Sequence, residues 1–232
     1  MSNRVDFVFN AFNEIETIEN DISEIFTVVK ELQTESKIII AEDGSTDGTS
    51  EKLLQLKSKF NLTLSQTKER RGYSKALIDG ISLSKADIIF FSDMGSKFNW
   101  SDIKKIVQFG ERDVLVIGVR VNRTDPLYRQ VLTKMYSVFI NSFYGYSFRD
   151  PDSGFRVYDR NTLNKIIEHG LINNHLLNSE IGIRCLAMGN RLIEVDINYK
   201  NRNDSSRGLP VKIIPKVILS TIQNAYKIRK DL

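Results

Sequence analysis

The sequence predicts an α/β domain with a mostly parallel central sheet covered by helices on both faces. Two observations carry that expectation. Five short segments, at residues 4–9, 37–41, 62–65, 86–92 and 114–119, read as buried strands, mostly apolar along their length rather than at alternate positions. Helical patterns separate them, at 14–32, 49–59, 72–84 and 101–108. Strands that alternate with helices lie parallel, and ligands of such sheets bind outside the carboxyl ends of the strands. The polar turns after Phe9, Ala41 and Phe91 are therefore the expected place for a site.

Beyond residue 120 the pattern changes. Residues 126–144 form a long amphipathic helical pattern with Leu127, Val131, Met135, Val138 and Phe139 on one side. Residues 149–158 read as a turn running into a strand, 176–188 reads as a helix, and 192–199 alternates like a strand. The stretch 210–229 is helical, apolar and basic at once. The chain divides accordingly into a domain over 1–208 and a C-terminal helix over 209–232. That helix either belongs to the same domain or contacts a membrane or a second subunit.

With 232 residues the chain is long enough to bury a substantial core, and 41% hydrophobic and 27% charged residues are ordinary for a globular domain. Its single cysteine, Cys185, excludes an intramolecular disulfide, and its two histidines, His169 and His175, stand far from any zinc-ligand spacing. Carboxylates remain as the main candidates for chemistry. Net charge is +4, but no basic run is interleaved with aromatics, so a nucleic-acid partner is not expected. The chain opens without the charged and apolar regions of a signal peptide, and no run approaches the roughly 18 apolar residues that span a bilayer. A cytoplasmic protein follows as the expectation, with peripheral contact at the membrane face.

The turns supply the candidates. Phe12-Asn13-Glu14 follows the first strand, and Glu42-Asp43-Gly44-Ser45-Thr46-Asp47-Gly48 the second. Carboxylates at strand ends accept hydrogen bonds from a base N–H or from ribose hydroxyls; the alternative is an Asx turn in which Asp47 caps the helix beginning at Thr49. Ser92-Asp93-Met94-Gly95-Ser96-Lys97 follows the fourth strand, where the alternative is again a helix-capping loop. Arg120 ends the fifth. Further on come Asp150-Pro151-Asp152-Ser153-Gly154-Phe155-Arg156, then Glu180 within a helix, then Arg202 with Ser205, Ser206 and Arg207. Arginines and hydroxyls in a glycine-bearing loop suit phosphate; a charged solvated loop is the bland alternative.

Taken together, these residues resemble the family-2 glycosyltransferases, especially the branch that makes polyprenyl- or dolichyl-phosphate mannose or glucose. The likeness runs from about Val5 to Gly208. It includes the aromatic-Asn-Glu of Phe12-Asn13-Glu14, the acidic turn from Glu42 to Thr49, the helix start Arg71-Gly72-Tyr73-Ser74-Lys75-Ala76, the Asp-x-x-Ser-Gly-Phe-Arg from Asp150, and a tail of Glu180, Gly189, Glu194, Val195 and Arg202. The resemblance implies a three-layer αβα, Rossmann-like glycosyltransferase-A fold. It implies an inverting transfer of a hexose from a UDP- or GDP-linked donor to a polyprenyl phosphate. By the same resemblance Phe12, Asn13, Glu14, Asp43, Ser45, Gly72, Lys75 and Asp93 surround the nucleotide, and Asp93, Asp152 and Glu180 form the catalytic set. Lys97, Arg120, Arg156, Arg202, Ser206 and Arg207 meet the phosphates and the acceptor.

Three features qualify this expectation. The family has Asp-x-Asp where this chain has Asp93-Met94-Gly95, followed by Lys97 where a glutamine is usual. Losing a carboxylate and gaining an ammonium shifts the local charge by about two units, in the direction by which Lys97 replaces part of a divalent ion's charge. The metal site at Asp93 is accordingly weak or absent, and dependence on Mg²⁺ or Mn²⁺ is reduced. Proline before the aromatic-Asn-Glu is replaced by Asn10. Where hydroxyl-acceptor relatives carry an Asp directly after the helix Glu, Ile181 follows Glu180. An acceptor phosphate, with a second pKa of about 6, is already mostly a dianion at neutral pH and needs no base. The competing expectations are transfer to a glycan or glycolipid hydroxyl, with Asp152 or Glu180 as base, and a nucleotide-sugar binder without turnover. No Gly-x-Gly-x-x-Gly follows the first strand, which disfavours a dehydrogenase.

Overall fold

The computed structural model of the chain describes residues 4–95, 97–123, 126–172, 176–199 and 213–232. Strands and helices alternate through the first half: β1 (Val5–Ala11), α1 (Ile18–Glu31), β2 (Ile38–Glu42), α2 (Thr49–Lys59), β3 (Leu62–Gln66), α3 (Tyr73–Ser82) and β4 (Ile88–Asp93). A 3-10 turn, Trp100–Asp102, leads into the short α4 (Ile103–Val107) and β5 (Val114–Val121). The second half comprises α5 (Leu127–Tyr144), β6 (Arg156–Asp159), α6 (Arg160–His169), α7 (Leu177–Ala187), β7 (Arg191–Asn198) and α8 (Ile214–Asp231).

The seven strands form one sheet in the order β3-β2-β1-β4-β6-β5-β7, with β6 alone antiparallel to its neighbours. Side chains alternate across β1: Phe7 and Phe9 enter one core with α1, α2 and α4, and Val8 enters the other with α3, α5, α6 and α7. Both faces are thus buried, which explains the uninterrupted apolar runs and bears out the predicted three-layer α/β fold.

Three elements depart from the expectations. The strand that ends the 149–158 stretch is inserted between β4 and β5 and runs against them, an arrangement that its own apolar pattern does not encode. Helix α6 follows β6 without a loop, because Asp159 accepts from the Asn161 amide at 3.2 Å and caps it. The 101–108 pattern is shortened to the 3-10 turn and α4, and Asp102 turns away from the site: its carboxylate accepts from the Asn198 amide at 2.7 Å.

The strand order reverses at β1: the chain runs outward from it through β2 to β3, then crosses back to place β4 on its other side. That is the crevice where doubly wound sheets bind ligands. Register places Asn10 of β1 directly beside Asp93 of β4, and Ala11 beside Glu42 of β2. Three of the expected turns therefore converge on one spot.

Candidate active site

Hydrogen bonds lock the first two turns together. Asn13, at φ 55°, donates its amide to Ser45 Oγ at 2.9 Å and accepts from the Thr46 amide at 2.8 Å. The Glu14 amide donates to Thr49 Oγ1 at 2.8 Å. Asp47 is used inside the turn, accepting from the Thr49 amide and hydroxyl at 3.0 and 2.6 Å and from the Ile15 amide at 3.1 Å. Asn13 and Ser45 thus build the rim of the site from behind. Asp43 reaches across to the start of α3, accepting from the amides of Arg71 (2.7 Å) and Gly72 (2.9 Å). Arg70 lies over the Phe12 ring at 4.1 Å, with its Nε 3.9 Å from Asp43.

A cavity of about 270 Å³ opens on these residues, lined by Asn10, Phe12, Glu14, Asp43 and Arg70 and closed at its far end by Tyr73, Asp93 and Lys97. A second cavity, of about 220 Å³, begins at the same three residues and runs past Arg120, Asp152, Asn178 and Tyr199. The two meet at the carboxyl end of β4. Asp93 Oδ1 and the Tyr73 hydroxyl are buried there without a hydrogen-bond partner among the described residues. Burial pushes the Asp93 carboxyl above the ordinary carboxylate range, against the opposing charges of Lys97 and Arg120. Gly154 makes the approach possible, since a Cβ at that position would lie 3.0 Å from Asp93 Oδ2.

The wall of the second cavity is an ion-pair network. Arg120 forks onto the buried Asp150, Nε to Oδ2 at 2.7 Å and Nη2 to Oδ1 at 2.8 Å. Burial alone raises the Asp150 carboxyl, but the Arg120 fork outweighs it and holds Asp150 below its usual value. Asp152, 3.9 Å from Arg120, keeps 49% of its side chain exposed to the cavity. Desolvation in the cleft pushes its carboxyl upward, Arg120 and Arg156 oppose, and Asp150 and Asp93 reinforce the rise.

Three expectations need correction. Glu180 does not flank the cavities: fully buried in α7, it accepts from the Ile172 amide at 2.8 Å and from Arg184 Nε at 3.1 Å, one helical turn on. Arg156 meets no phosphate. It is fully buried and donates to the carbonyls of Ser153 (2.6 Å), Asn178 (2.6 Å) and Pro151, so it holds the loop that presents Asp152. Lys75 sits exposed on the first turn of α3 and lines neither cavity, while Gly72 contributes through its amide to Asp43. Arg202, Ser206 and Arg207 lie outside the described residues.

Sequence reasoning missed Arg70, Tyr73, Asn178 and Tyr199. Only Tyr73 carried a signal, its place in the Arg71–Ala76 helix start. Asn10, seen first as a missing proline, lines the first cavity and donates to the Tyr73 carbonyl at 3.2 Å. Gly95, in place of a second carboxylate, donates its amide to the buried Asp21 at 3.0 Å, and Trp100 Nε1 donates to the same carboxylate at 2.8 Å. The backbone after Asp93 is thereby fixed from below.

Comparison with known proteins agrees with this architecture. The undecaprenyl-phosphate 4-deoxy-4-formamido-L-arabinose transferase of Photorhabdus laumondii is 25% identical over 202 residues, covering 86% of this chain and 61% of that protein. The enzyme of the same name from Pectobacterium carotovorum is 24% identical over 201 residues, covering 85% and 60%. The chain therefore spans about three fifths of the length of these relatives. Among solved structures, glucosyl-3-phosphoglycerate synthase from Mycobacterium tuberculosis, in complex with Mn²⁺, UDP and phosphoglyceric acid, superposes with a TM-score of 0.72 at 15% identity. The alignment covers 97% of this chain and 78% of that one. Mannosyl-3-phosphoglycerate synthase from Rubrobacter xylanophilus gives a TM-score of 0.69 at 15% identity, covering 99% and 76%. At these identities the structures establish the shared fold. The glycosyl transferase family 2 model matches residues 7–167, well over half of the sequence, and the chain belongs to that family.

Proposed function

We propose that this chain transfers a sugar, with inversion, from a nucleoside diphosphate to the phosphate of a polyprenyl lipid. The observation that carries the reading is the junction of two cavities at Tyr73, Asp93 and Lys97. One cavity offers an aromatic ring, two carboxylates and an arginine to a base and ribose; the other offers Arg120 and Asp152 to a sugar and an anionic acceptor. The reacting carbon belongs between them. An acceptor phosphate oxygen attacks the anomeric carbon, the bond to the diphosphate breaks, and the nucleoside diphosphate leaves with the electron pair. The acceptor dianion carries no proton that must be removed. The printed names of the curated relatives, undecaprenyl-phosphate transferases, support the acceptor class.

The fold neighbours crystallised with Mn²⁺ raise the question of a metal. Among the described residues no three carboxylates, histidines or cysteines converge to hold an ion, and Asp93 shares its junction with the Lys97 ammonium. One carboxylate beside an ammonium does not fit a protein-held divalent cation, which calls for several oxygen ligands. Lys97 instead supplies positive charge beside the departing diphosphate. Wild-type turnover is therefore expected to persist in excess chelator, whereas Lys97→Ala loses on the order of 100-fold under the same conditions. Abolition of wild-type turnover by chelator, restored by Mn²⁺, would refute this role for Lys97.

The decisive assay offers UDP- and GDP-sugars with undecaprenyl phosphate and detects lipid-linked sugar by mass spectrometry. Nucleotide binding with no lipid product from any donor would leave a binder without turnover.

A second reading, transfer to a hydroxyl, is favoured by Asp152, since a raised carboxylate facing the cavity is a competent general base. Asp152→Asn separates the two. With a phosphate acceptor it is expected to leave the shape of the pH–rate profile unchanged. With a hydroxyl acceptor it removes the acid limb and lowers kcat by about 10²–10⁴-fold.

A further inference from the structure

The surface away from the cavities is unevenly apolar. Sixteen large hydrophobic residues are exposed among the described ones, and ten of them lie on just two of the eight helices, α5 and α8. On α5 they are spaced to fall on one face, with Leu127, Val131, Met135 and Val138 between 56% and 78% exposed. On α8 the buried side is Asn224, Ala225 and Ile228, whereas Ile218, Ile222 and Tyr226 recur every fourth residue on an exposed side together with Leu219. The two stripes join through aromatic contacts, Phe139 stacked on Phe143 at 5.5 Å and Phe143 edge-to-face with Tyr226 at 4.9 Å. The Tyr144 hydroxyl donates to the Ala225 carbonyl at 2.8 Å and fixes the two helices together.

Charge around this surface has one sign. The two helices carry Arg129, Lys134, Lys216, Lys227, Arg229 and Lys230 against a single acid, Asp231, whose carboxylate is held by Arg184 at 2.5 Å and by His169 at 3.0 Å. On an ideal helical wheel, Lys216, Lys227 and Lys230 fall beside the α8 stripe on the side away from the body. An apolar stripe bordered by lysines is the pattern of a helix lying in the headgroup layer of an anionic membrane.

We infer that the joined outer faces of α5 and α8 dock on an anionic lipid bilayer. The placement agrees with the site. On its inner side α5 donates from the Tyr136 hydroxyl to Ser179 Oγ at 2.6 Å, and Ser179 donates to the Pro151 carbonyl at 2.8 Å, under the loop that carries Asp152. The loop that lines the second cavity is therefore tied to the inner side of the docking helix. The inference rests on the surface and does not require a polyprenyl acceptor.

Vesicle co-sedimentation tests it without any acceptor lipid. Wild-type protein is expected to bind vesicles containing phosphatidylglycerol and not neutral phosphatidylcholine vesicles, with binding that weakens as salt rises. Val131→Glu combined with Ile218→Glu, both at exposed positions, is expected to weaken binding at least tenfold at an unchanged melting temperature. Lys227→Glu with Lys230→Glu should also weaken it. Equal binding by wild type and the Val131/Ile218 variant, or no binding by wild type, would overturn the inference. So would a wild-type dimer in solution that the same substitutions convert to monomer, because a second copy of the chain would then cover the face. A detergent assay with a short-chain polyprenyl phosphate keeps the two proposals apart: docking variants retain turnover there, and if wild type shows none the acceptor reading fails while docking stands.

Discussion

Asp93→Asn is expected to lower turnover by about two to three orders of magnitude while making the protein more stable. Desolvation disfavours the ionised form of this buried carboxyl, which is why its pKa is raised in the fold. The sign follows from linkage. A carboxyl whose folded pKa exceeds its unfolded value, about 4, binds protons more tightly in the native state, so it weakens the fold increasingly as pH rises through that value. Asparagine keeps the shape and removes the penalty. A higher melting temperature at pH 7 is therefore expected, with the advantage fading below about pH 4. Turnover moves the other way. Among the described residues Asp93 Oδ1 is a buried acceptor without a partner, at the point where both cavities meet. Loss of a group aimed at the reacting centre of a preorganised site costs on the order of 10²–10³ in rate, or about 3–4 kcal/mol. Steady-state kinetics beside a melting curve checks both halves. Unchanged turnover would remove Asp93 from the machinery, and a lower melting temperature would make it a structural residue.

Arg156→Met carries the largest expected loss of stability. The guanidinium is wholly buried, makes no ion pair within 4.0 Å among the described residues, and serves three backbone carbonyls, of Pro151, Ser153 and Asn178. Helix α7 leaves space for it, since a Cβ on Gly182 would lie 3.0 Å from Arg156 Nη1. Methionine fills a similar volume but removes three hydrogen bonds from a charged donor, worth about 1.5–3 kcal/mol each before relaxation, and the Pro151 carbonyl keeps only the Ser179 hydroxyl. A net loss of about 4 kcal/mol is expected, which lowers the melting temperature of a domain this size by roughly 10 °C. Activity falls with it through kcat rather than donor KM, because the disturbed loop presents Asp152, not the nucleotide cavity. A melting temperature within about 2 °C of wild type would mean that the three carbonyls find other partners, against the assignment.

The contrast between Asp93 and Arg156 marks how far the sequence was legible. Both belong to motifs, and the motifs were found, but a motif does not say which way a side chain points. Asp93 ends a strand whose apolar run announces it, and the carboxyl end of a parallel strand opens on a crevice by geometry alone. Arg156 and Glu180 sit where packing decides direction: Arg156 turned inward to the Asn178 carbonyl, 22 positions on, as well as to its own loop, and Glu180 to the Ile172 amide as well as to Arg184. Arg70 reached the site only because Phe12, 58 positions earlier, is brought beneath it. Helix α6 escaped notice because β6 runs straight into it, so no turn residues separate the two patterns.

What the sequence by itself determined is the alternation of elements, the burial of the sheet on both faces, the turns that hold Glu14, Asp43 and Asp93, and the family. These depend on local periodicity and on residues close in the chain. The tertiary structure alone decided that β6 inserts antiparallel between β4 and β5, that Asn10 stands in register beside Asp93, and that α5 and α8 join their apolar stripes into one face. Each of these is a pairing of segments far apart in sequence. Such pairings are selected by the packing of whole faces, and no local pattern encodes which face meets which.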